Sequence, residues 1–178
     1  LKIDVNAFYN LIDNLIDTQV VAQKNNGQNI FSYTNFDKIF TYGVEFNSTY
    51  SFTKEFVVSL GYQYLMANDK SVLDNFEEHQ YIRNSQLQTV EISKSDYFGL
   101  YNRSKHTANI KFAYTIPKIK TDINLRVFYR SKYGMFDTNS NQILDIYDKF
   151  ISDYCITNLA ITKNIANQFM LQAGVNNL

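Results

Sequence analysis

Apolar and polar side chains alternate strictly along much of this 178-residue chain, and this pattern constrains its fold more than any other feature. Because successive side chains of a β-strand point to opposite faces, a period of two predicts strands with one apolar and one polar face. The alternation predicts seven strands, at residues 1–10, 40–52, 56–64, 107–115, 122–130, 155–163 and 169–176. The chain is therefore predicted to be all-β.

The predicted connections alternate in length. Short turns are expected at residues 53–55, 117–120 and 164–167, and long loops at 11–38, 67–104 and 133–153. Structureless loops longer than about 12 to 15 residues are uncommon in compact domains. Long loops in alternate positions must leave one edge of an up-and-down antiparallel sheet, and short turns the other. This arrangement is typical of outer-membrane β-barrels.

The apolar face could pack on a protein core or face lipid, and the polar face favours lipid. It carries a row of solvated side chains on one strand and just beyond it: Asp122, Asn124, Arg126, Arg130 and Lys132. Strands of about ten residues suit a tilted membrane strand. Tyrosines recur near strand ends, as in an interfacial belt: Tyr9, Tyr50, Tyr62, Tyr64, Tyr114, Tyr129 and Tyr133. A soluble β-sheet, in which tyrosine is simply a good strand former, is the alternative.

Composition excludes several other classes. The 17 basic and 17 acidic residues cancel, so charge gives no indication of a nucleic-acid partner. The single cysteine, Cys155, excludes a disulfide framework, and it lies far from His79 and His106 without zinc-site spacing. No apolar window approaches the roughly 18 residues of a membrane helix. The sequence has no Ser, His and acidic residue at catalytic spacing and no Gly-rich phosphate loop, so it gives no indication of an enzyme.

Seven strands do not close an outer-membrane barrel of a single bacterial chain, because such barrels have an even number of strands. An open sheet would also leave unpaired edges in lipid. The chain begins at Leu1 without a methionine and stops within an alternating run. We therefore expect it to be a fragment of a larger barrel.

Several segments resemble one family. Residues 40–46 (FTYGVEF) and 56–66 (FVVSLGYQYLM) are similar to two consecutive strands near the C-terminal end of TonB-dependent outer-membrane receptors. Residues 97–104 (YFGLYNRS), which lead into residues 106–109, and residues 171–178 (LQAGVNNL) match further stretches of that family. The last stretch precedes the family's final strand. The many Asn, Tyr and Lys residues resemble Bacteroidetes-type members.

The resemblance implies a bacterial outer-membrane barrel of about 22 strands filled by an N-terminal plug. It implies TonB-energised import of a scarce ligand such as a ferric siderophore, haem or cobalamin, by binding and gating without bond-making. The seven strands would be roughly strands 15 to 21 of that barrel, so the plug, TonB box, first strands and final strand are expected outside residues 1–178. The expected partners are TonB, a small metal chelate and lipid. A passive porin, an outer-membrane enzyme and a soluble β-sheet binding module are the alternatives.

Candidate ligand contacts are basic and aromatic residues of the lumen or rim. The predicted register places Lys111 and Glu45 on the polar face with three cations, Arg126, Arg130 and Lys132. These cations could attract an anionic chelate or pair with plug carboxylates. Nearer the rim, Arg103 and Lys105 could act similarly, and His106 could contact a ligand or hydrogen-bond the loop base. Loop aromatics could stack on a ring-bearing ligand or pack the loop on itself: Phe76, Tyr81, Tyr97, Phe98 and Tyr101.

Two loop segments contain possible metal ligands, but no metal or cofactor is predicted. His79, beside Glu77 and Glu78, could ligate haem or simply be solvated. A pattern of hard oxygen ligands resembles a calcium loop: Asp137, Asn139, Asn141 and Asp145. Its sixth position holds Gln142 instead of the turn-permitting glycine, and its twelfth holds Asp148 instead of glutamate. An ordinary Asn-rich loop is therefore favoured over calcium.

Overall fold

The computed structural model describes residues 1–26, 28–76, 80–84, 86–139, 141, 143–165 and 169–178. In chain order the strands are β1 (Lys2–Gln23), β2 (Asn29–Ser51), β3 (Phe56–Asp69), β4 (Gln80–Arg83), β5 (Thr89–Ile92), β6 (His106–Ile116), β7 (Thr121–Arg130), β8 (Tyr133–Phe136), β9 (Lys149–Ile151), β10 (Tyr154–Ile165) and β11 (Phe169–Asn176). One short helix, α1 (Lys70–Asp74), follows β3. Among the described residues, no helix has the length and apolarity needed to cross a membrane.

Seven of the strands form one antiparallel sheet in the order β1-β2-β3-β6-β7-β10-β11. Each neighbour follows in chain order apart from the small hairpins β4–β5 and β8–β9, which lie within the connections. This is the predicted up-and-down sheet, and all seven predicted strands are present. The predicted all-β fold is confirmed.

The register separates the two faces as predicted. One cross-strand row is mainly apolar: Val5, Phe46, Tyr62, Ala108, Tyr129 and Cys155. The adjacent row is mainly polar: Asn6, Glu45, Gln63, Thr107, Arg130 and Tyr154. Large side chains of the apolar face, including Val5 and Val44, are exposed because no protein layer covers them. A face of this kind needs an apolar surrounding, which lipid supplies.

Two predicted short turns are formed by local hydrogen bonds. Between β2 and β3, Thr53 Oγ1 accepts hydrogen bonds from the backbone amides of Glu55 and Phe56. Between β6 and β7, residues Pro117–Ile119 form a 3₁₀ turn that ends at Lys120 in the left-handed conformation. Strand β10 continues to Ile165, so the third predicted turn, 164–167, begins later than predicted. The rest of that turn lies outside the described residues. We call the edge with these turns the turn end and the opposite edge the loop end.

The predicted long loop at residues 11–38 is wrong. The first two strands continue through this segment as one ribbon, paired from Ile12 with Ile39 to Gln23 with Asn29. Sequence alternation fails here because the side that meets other loops carries polar residues such as Asp17 and Thr34, and because the register shifts between Val20 and Ala22. Backbone pairing, which needs no particular side chains, continues regardless. The ribbon therefore extends well beyond the loop end of the other strands.

A small apolar core lies at the loop end on the polar side of the sheet. Ile39, Ala67 and Leu100 form it, and Ile12 and Phe36 pack against it. The loop before β6 covers Ala67, whose carbonyl oxygen accepts a 2.9 Å hydrogen bond from the Leu100 amide. Gly99 permits this approach: its φ is +114°, and a Cβ would lie 2.5 Å from the Ala67 oxygen.

Candidate functional site

A chamber of about 610 Å³ lies at the loop end, between the β1–β2 ribbon and the loops that follow β3 and β8. Its volume is in the range of small-molecule sites, about 300 to 1,000 Å³. The apolar part of its wall is formed by Val20, Val21, Phe36, Val72 and Ile143. Strand β8 follows β7, and three strands of the sheet lie between β7 and β1. Strand β8 nevertheless contacts β1, so the loops fold across the polar face. We call this cavity the mouth chamber.

The polar part of the chamber wall consists of uncharged side chains and two carboxylates. The uncharged ones are Thr34, Asn35, Ser71, Asn75, Gln80 and Asn141, and the carboxylates are Asp69 and Asp137. Asp69 also orders its own segment, because its side chain accepts a 2.8 Å hydrogen bond from the Ser71 amide as the N-cap of α1. Among the described residues, none bonds to the buried side-chain oxygen of Gln80. The amides and hydroxyls of the wall can both donate and accept hydrogen bonds.

Tyr97 and Tyr101, both predicted as ligand contacts, are buried and are absent from the chamber wall. The Tyr97 hydroxyl oxygen accepts a 3.0 Å hydrogen bond from the Asp69 amide, and burial raises the pKa of this phenol to about 12. Burial, followed by the charges of Asp137, Asp148 and Asp145, raises the pKa of Tyr101. Both rings therefore pack inside the loops and do not line the chamber.

The loop at residues 137–148 is held together by its own carboxylates. The Asp148 carboxylate accepts hydrogen bonds from the amides of Thr138 and Asp145, at 2.8 and 2.9 Å. Asp145, which is fully buried, accepts hydrogen bonds from the Tyr147 amide and the Asn141 side chain. In the part of the chain that the structure describes, no group of three or more His, Cys, Asp or Glu side chains could hold a metal. These contacts support the ordinary Asn-rich loop; Gln142 lies outside the described residues.

The stability of this loop is expected to depend on pH. Burial raises the pKa of Asp148 to about 6 from an ordinary value of 3.8, and Asp145 and Asp137 add to the rise although two backbone amides oppose it. A carboxyl with a raised pKa in the folded loop binds its proton more tightly there than in the open loop. The closed loop therefore gains stability as the pH falls through about 6 and loses it as the pH rises.

Hydrogen–deuterium exchange measures this effect. After correction for intrinsic rates, amides of residues 137–148 are expected to exchange more slowly at pH 5 than at pH 7.5. The Asp148→Asn variant, whose side chain does not titrate, should lose most of this difference. Equal pH dependence in the variant and the wild type would contradict the assignment to Asp148.

Arg126 and Arg130 lie on the polar face as predicted, but both make internal hydrogen bonds. Arg126 Nε donates to Asn109 Oδ1 at 2.6 Å, and Arg126 pairs across strands with Lys111. Arg130 donates to Ser104 Oγ and to the carbonyl oxygen of Asn102, at 2.8 and 2.9 Å. Its guanidinium carbon lies 3.9 Å from the centre of the Tyr133 ring. Arg130 therefore ties the loop before β6 to the sheet.

The other predicted cations near the rim also have neighbours within the chain. Arg103 forms a 2.8 Å ion pair with Asp17 of the β1–β2 ribbon. Lys105 and Lys132 lie over the Phe98 ring, at 4.4 and 5.8 Å from its centre. Burial and the charge of Lys132 lower the pKa of Lys105. A recess of about 310 Å³ brings Arg103 and Arg130 together, whereas Lys132 is absent from its wall.

His106 lies on the apolar face of the sheet and is absent from the described chamber wall. Its Nδ1 is 2.8 Å from the Tyr62 hydroxyl oxygen, and its ring centre is 5.3 Å from that of Tyr64. The signal for this placement was available in the sequence, because His106 precedes Ala108 by two residues and so shares its face. His79, with Glu77 and Glu78, lies outside the described residues.

Sequence reasoning missed much of the mouth chamber. Five wall residues come from the segment interpreted as the 11–38 loop: Val20, Val21, Thr34, Asn35 and Phe36. The clusters of β-branched and aromatic residues in that segment were the available signal for strands. The pairing of these clusters across a tight turn was not apparent from alternation.

A model of the TonB-dependent receptor-like β-barrel family matches the chain over residues 1–178. The chain belongs to the TonB-dependent receptor family. Members of this family are outer-membrane transporters, not enzymes, so the predicted family, barrel fold and outer-membrane location are confirmed. In outer-membrane barrels generally the long loops are extracellular and the short turns periplasmic, so we expect the loop end to be the extracellular one.

Solved structures with similar folds are also receptors and transporters. A mutant of the ferric enterobactin receptor PfeA from Pseudomonas aeruginosa superposes with a TM-score of 0.62 at 16% identity, over 99% of this chain and 23% of that one. The copper transporter OprC gives 0.61 at 11% identity, over 99% and 22%. The FrpB iron transporter from Neisseria meningitidis gives 0.58 at 13%, over 98% and 24%. No curated protein matches. This chain thus spans about a quarter of the length of the solved receptors.

Proposed function

We propose that this chain is part of a receptor that imports a scarce ligand, such as a ferric siderophore, haem or cobalamin, with energy from TonB. The observation that carries the proposal is the mouth chamber, a cavity of about 610 Å³ at the loop end of a sheet from this receptor family. The similar solved structures include a ferric enterobactin receptor, an iron transporter and a siderophore receptor. Capture in the chamber and release into the lumen require binding and gating but no covalent chemistry.

The proposed receptor contains more chain than residues 1–178. In the described part, no strand pairs with the outer edge of β1 or of β11. Unpaired backbone groups are costly in the hydrocarbon layer, so further strands must pair with both edges. We propose a barrel of about 22 strands with an N-terminal plug and TonB box, in which these seven strands belong to the C-terminal part. A plug within the lumen would contact the polar row near Arg126 and Lys111.

Deleting the receptor gene from its source bacterium tests the proposal. Growth is expected to fail when iron or cobalamin is supplied only at nanomolar concentrations as a complex, and to recover with excess free iron or vitamin. Disrupting the tonB gene should give the same defect for the same complex. Normal growth of the deletion strain on every scarce complex would contradict the proposed function.

A complementing gene that lacks the TonB box is the matched control. It should restore ligand binding at the cell surface but not growth, because binding does not require energy from TonB. Growth with this gene would show that transport through the barrel is passive, as in a porin.

A further inference from the structure

We propose that the mouth chamber selects a neutral or cationic ligand with hydrogen-bonding groups and an apolar surface, over a strongly anionic ligand. For metal chelates this means neutral or positively charged complexes, such as ferric hydroxamates, in preference to triply negative catecholate complexes. The inference rests on the proposed function and specifies its substrate class.

The charges in the chamber wall are negative. Asp69 and Asp137 line it, and none of the chain's 17 lysines and arginines does. An anionic ligand in the chamber would face these two carboxylates without a cation in the wall. Like charges that are brought together in a partly desolvated cavity repel strongly, so the wall acts against anions.

Further carboxylates lie behind the wall in the same loop. Asp145 is fully buried, and Asp148 is bonded to its backbone amide. Burial is the main cause of the raised pKa of Asp148, and the charges of Asp145 and Asp137 add to it. The nearest rim cation identified above, Arg103, is already paired with Asp17. Its charge is therefore largely compensated within the β1–β2 ribbon.

The uncharged part of the wall can both donate and accept hydrogen bonds, because it consists of side-chain amides and hydroxyls: Thr34, Asn35, Ser71, Asn75, Gln80 and Asn141. A ligand with polar groups of either kind can therefore bind there. Val20, Val72 and Ile143 provide the apolar part of the wall, against which the methylene chains of a hydroxamate can pack.

The predicted cations of the lumen do not reverse this preference. Arg126 is bonded to Asn109, and Arg130 is held by Ser104 and Asn102. None of these residues belongs to the described chamber wall. An anionic chelate would therefore have to cross the carboxylate-lined chamber before it reached them.

Binding of three ferric complexes of different charge to the purified full-length receptor tests the inference. The probes are ferrioxamine B (net charge +1), ferrichrome (neutral) and ferric enterobactin (net charge −3). We expect both hydroxamate complexes to bind at least about tenfold more tightly than ferric enterobactin, an effect of a few unit charges at close range. Titration by intrinsic fluorescence quenching measures the dissociation constants.

One double variant and a matched control assign the effect to the wall. The double variant Asp69→Asn and Asp137→Asn removes both charges while it keeps the helix cap and the loop carbonyl oxygens. It should weaken ferrioxamine B binding about fivefold to tenfold, leave ferrichrome within about twofold and strengthen ferric enterobactin. Asp153→Asn, an exposed change outside the chamber wall, should alter none of the three.

The outcomes separate this inference from the proposed function. Tight binding of ferric enterobactin, with weak binding of both hydroxamates, would overturn the substrate class and leave the uptake function standing. Hydroxamate binding that is equal in the wild type and the double variant would overturn the role of the wall. No binding of any complex, in a strain whose deletion has no growth defect, would overturn both.

Discussion

Replacing Leu125 with arginine is expected to lower the free energy of unfolding of the membrane-embedded receptor by about 2 to 4 kcal/mol. Leu125 lies midway along β7 on the apolar face, between Phe112 of β6 and Leu159 of β10. An arginine on the lipid face near the bilayer midplane costs about 2 to 4 kcal/mol. Such a loss is a large fraction of the stability of a typical domain, about 5 to 15 kcal/mol.

The neighbouring position supplies the control. Asn124 lies on the opposite face and pairs with Ala113 and Ala160, so an Asn124→Arg side chain would enter the aqueous lumen. Urea unfolding of the full-length receptor in lipid vesicles, followed by the heat-dependent gel shift of barrels, measures the difference. We expect Asn124→Arg to unfold at nearly the wild-type urea concentration and Leu125→Arg at a clearly lower one. Equal unfolding concentrations of the two variants would show that the assignment of the faces is wrong.

Replacing Gly43 with alanine is expected to have the second largest effect. A Cβ at this position would collide with the carbonyl oxygen of Tyr64 and would lie 2.8 Å from Cζ of Phe8. Tyr64 is part of the β2–β3 pairing, so its carbonyl oxygen cannot move without disturbing the ladder. Overpacking of this kind costs about 1 to 3 kcal/mol. The urea concentration at which the folded receptor unfolds should therefore fall.

Gly61 is the matched control on the neighbouring strand. A Cβ there would approach only a side-chain atom, Asn47 Oδ1 at 3.1 Å, which can rotate away. We expect Gly61→Ala to unfold at nearly the wild-type urea concentration. If the Gly43→Ala receptor were as stable as the Gly61→Ala receptor, a side chain would be tolerated between Phe8 and the Tyr64 carbonyl oxygen, and this prediction would be wrong.

The membrane-embedded part of the fold was predictable because each strand there has two different surroundings. Lipid on one side and water on the other impose a period of two, which marked all seven strands and placed Arg126 and Arg130 on the polar face. The same periodicity would have placed His106 on the apolar face, had it been followed back two residues from Ala108. Short turns such as 53–55 were equally clear, because local residues form them.

The loop end was much less predictable. The 11–38 segment was interpreted as a loop, although it forms a paired ribbon with a register shift between Val20 and Ala22 and with polar residues such as Asp17 and Thr34 on the side that meets other loops. Tyr97 and Tyr101 were recognised as notable aromatics, but only the structure shows that both are buried behind the chamber. The ion pair between Arg103 and Asp17 joins residues 86 positions apart, and no local pattern indicates it.

The sequence by itself determined the strand order, the apolar and polar faces, and the family of this protein. The tertiary structure alone decided the length of the β1–β2 ribbon, the mouth chamber and the grouping of its carboxylates. The physical reason is that alternation records the medium on each side of a strand, which is the same for every residue along it. Contacts between loops depend instead on individual residues that are distant in the chain, and these leave no period in the sequence.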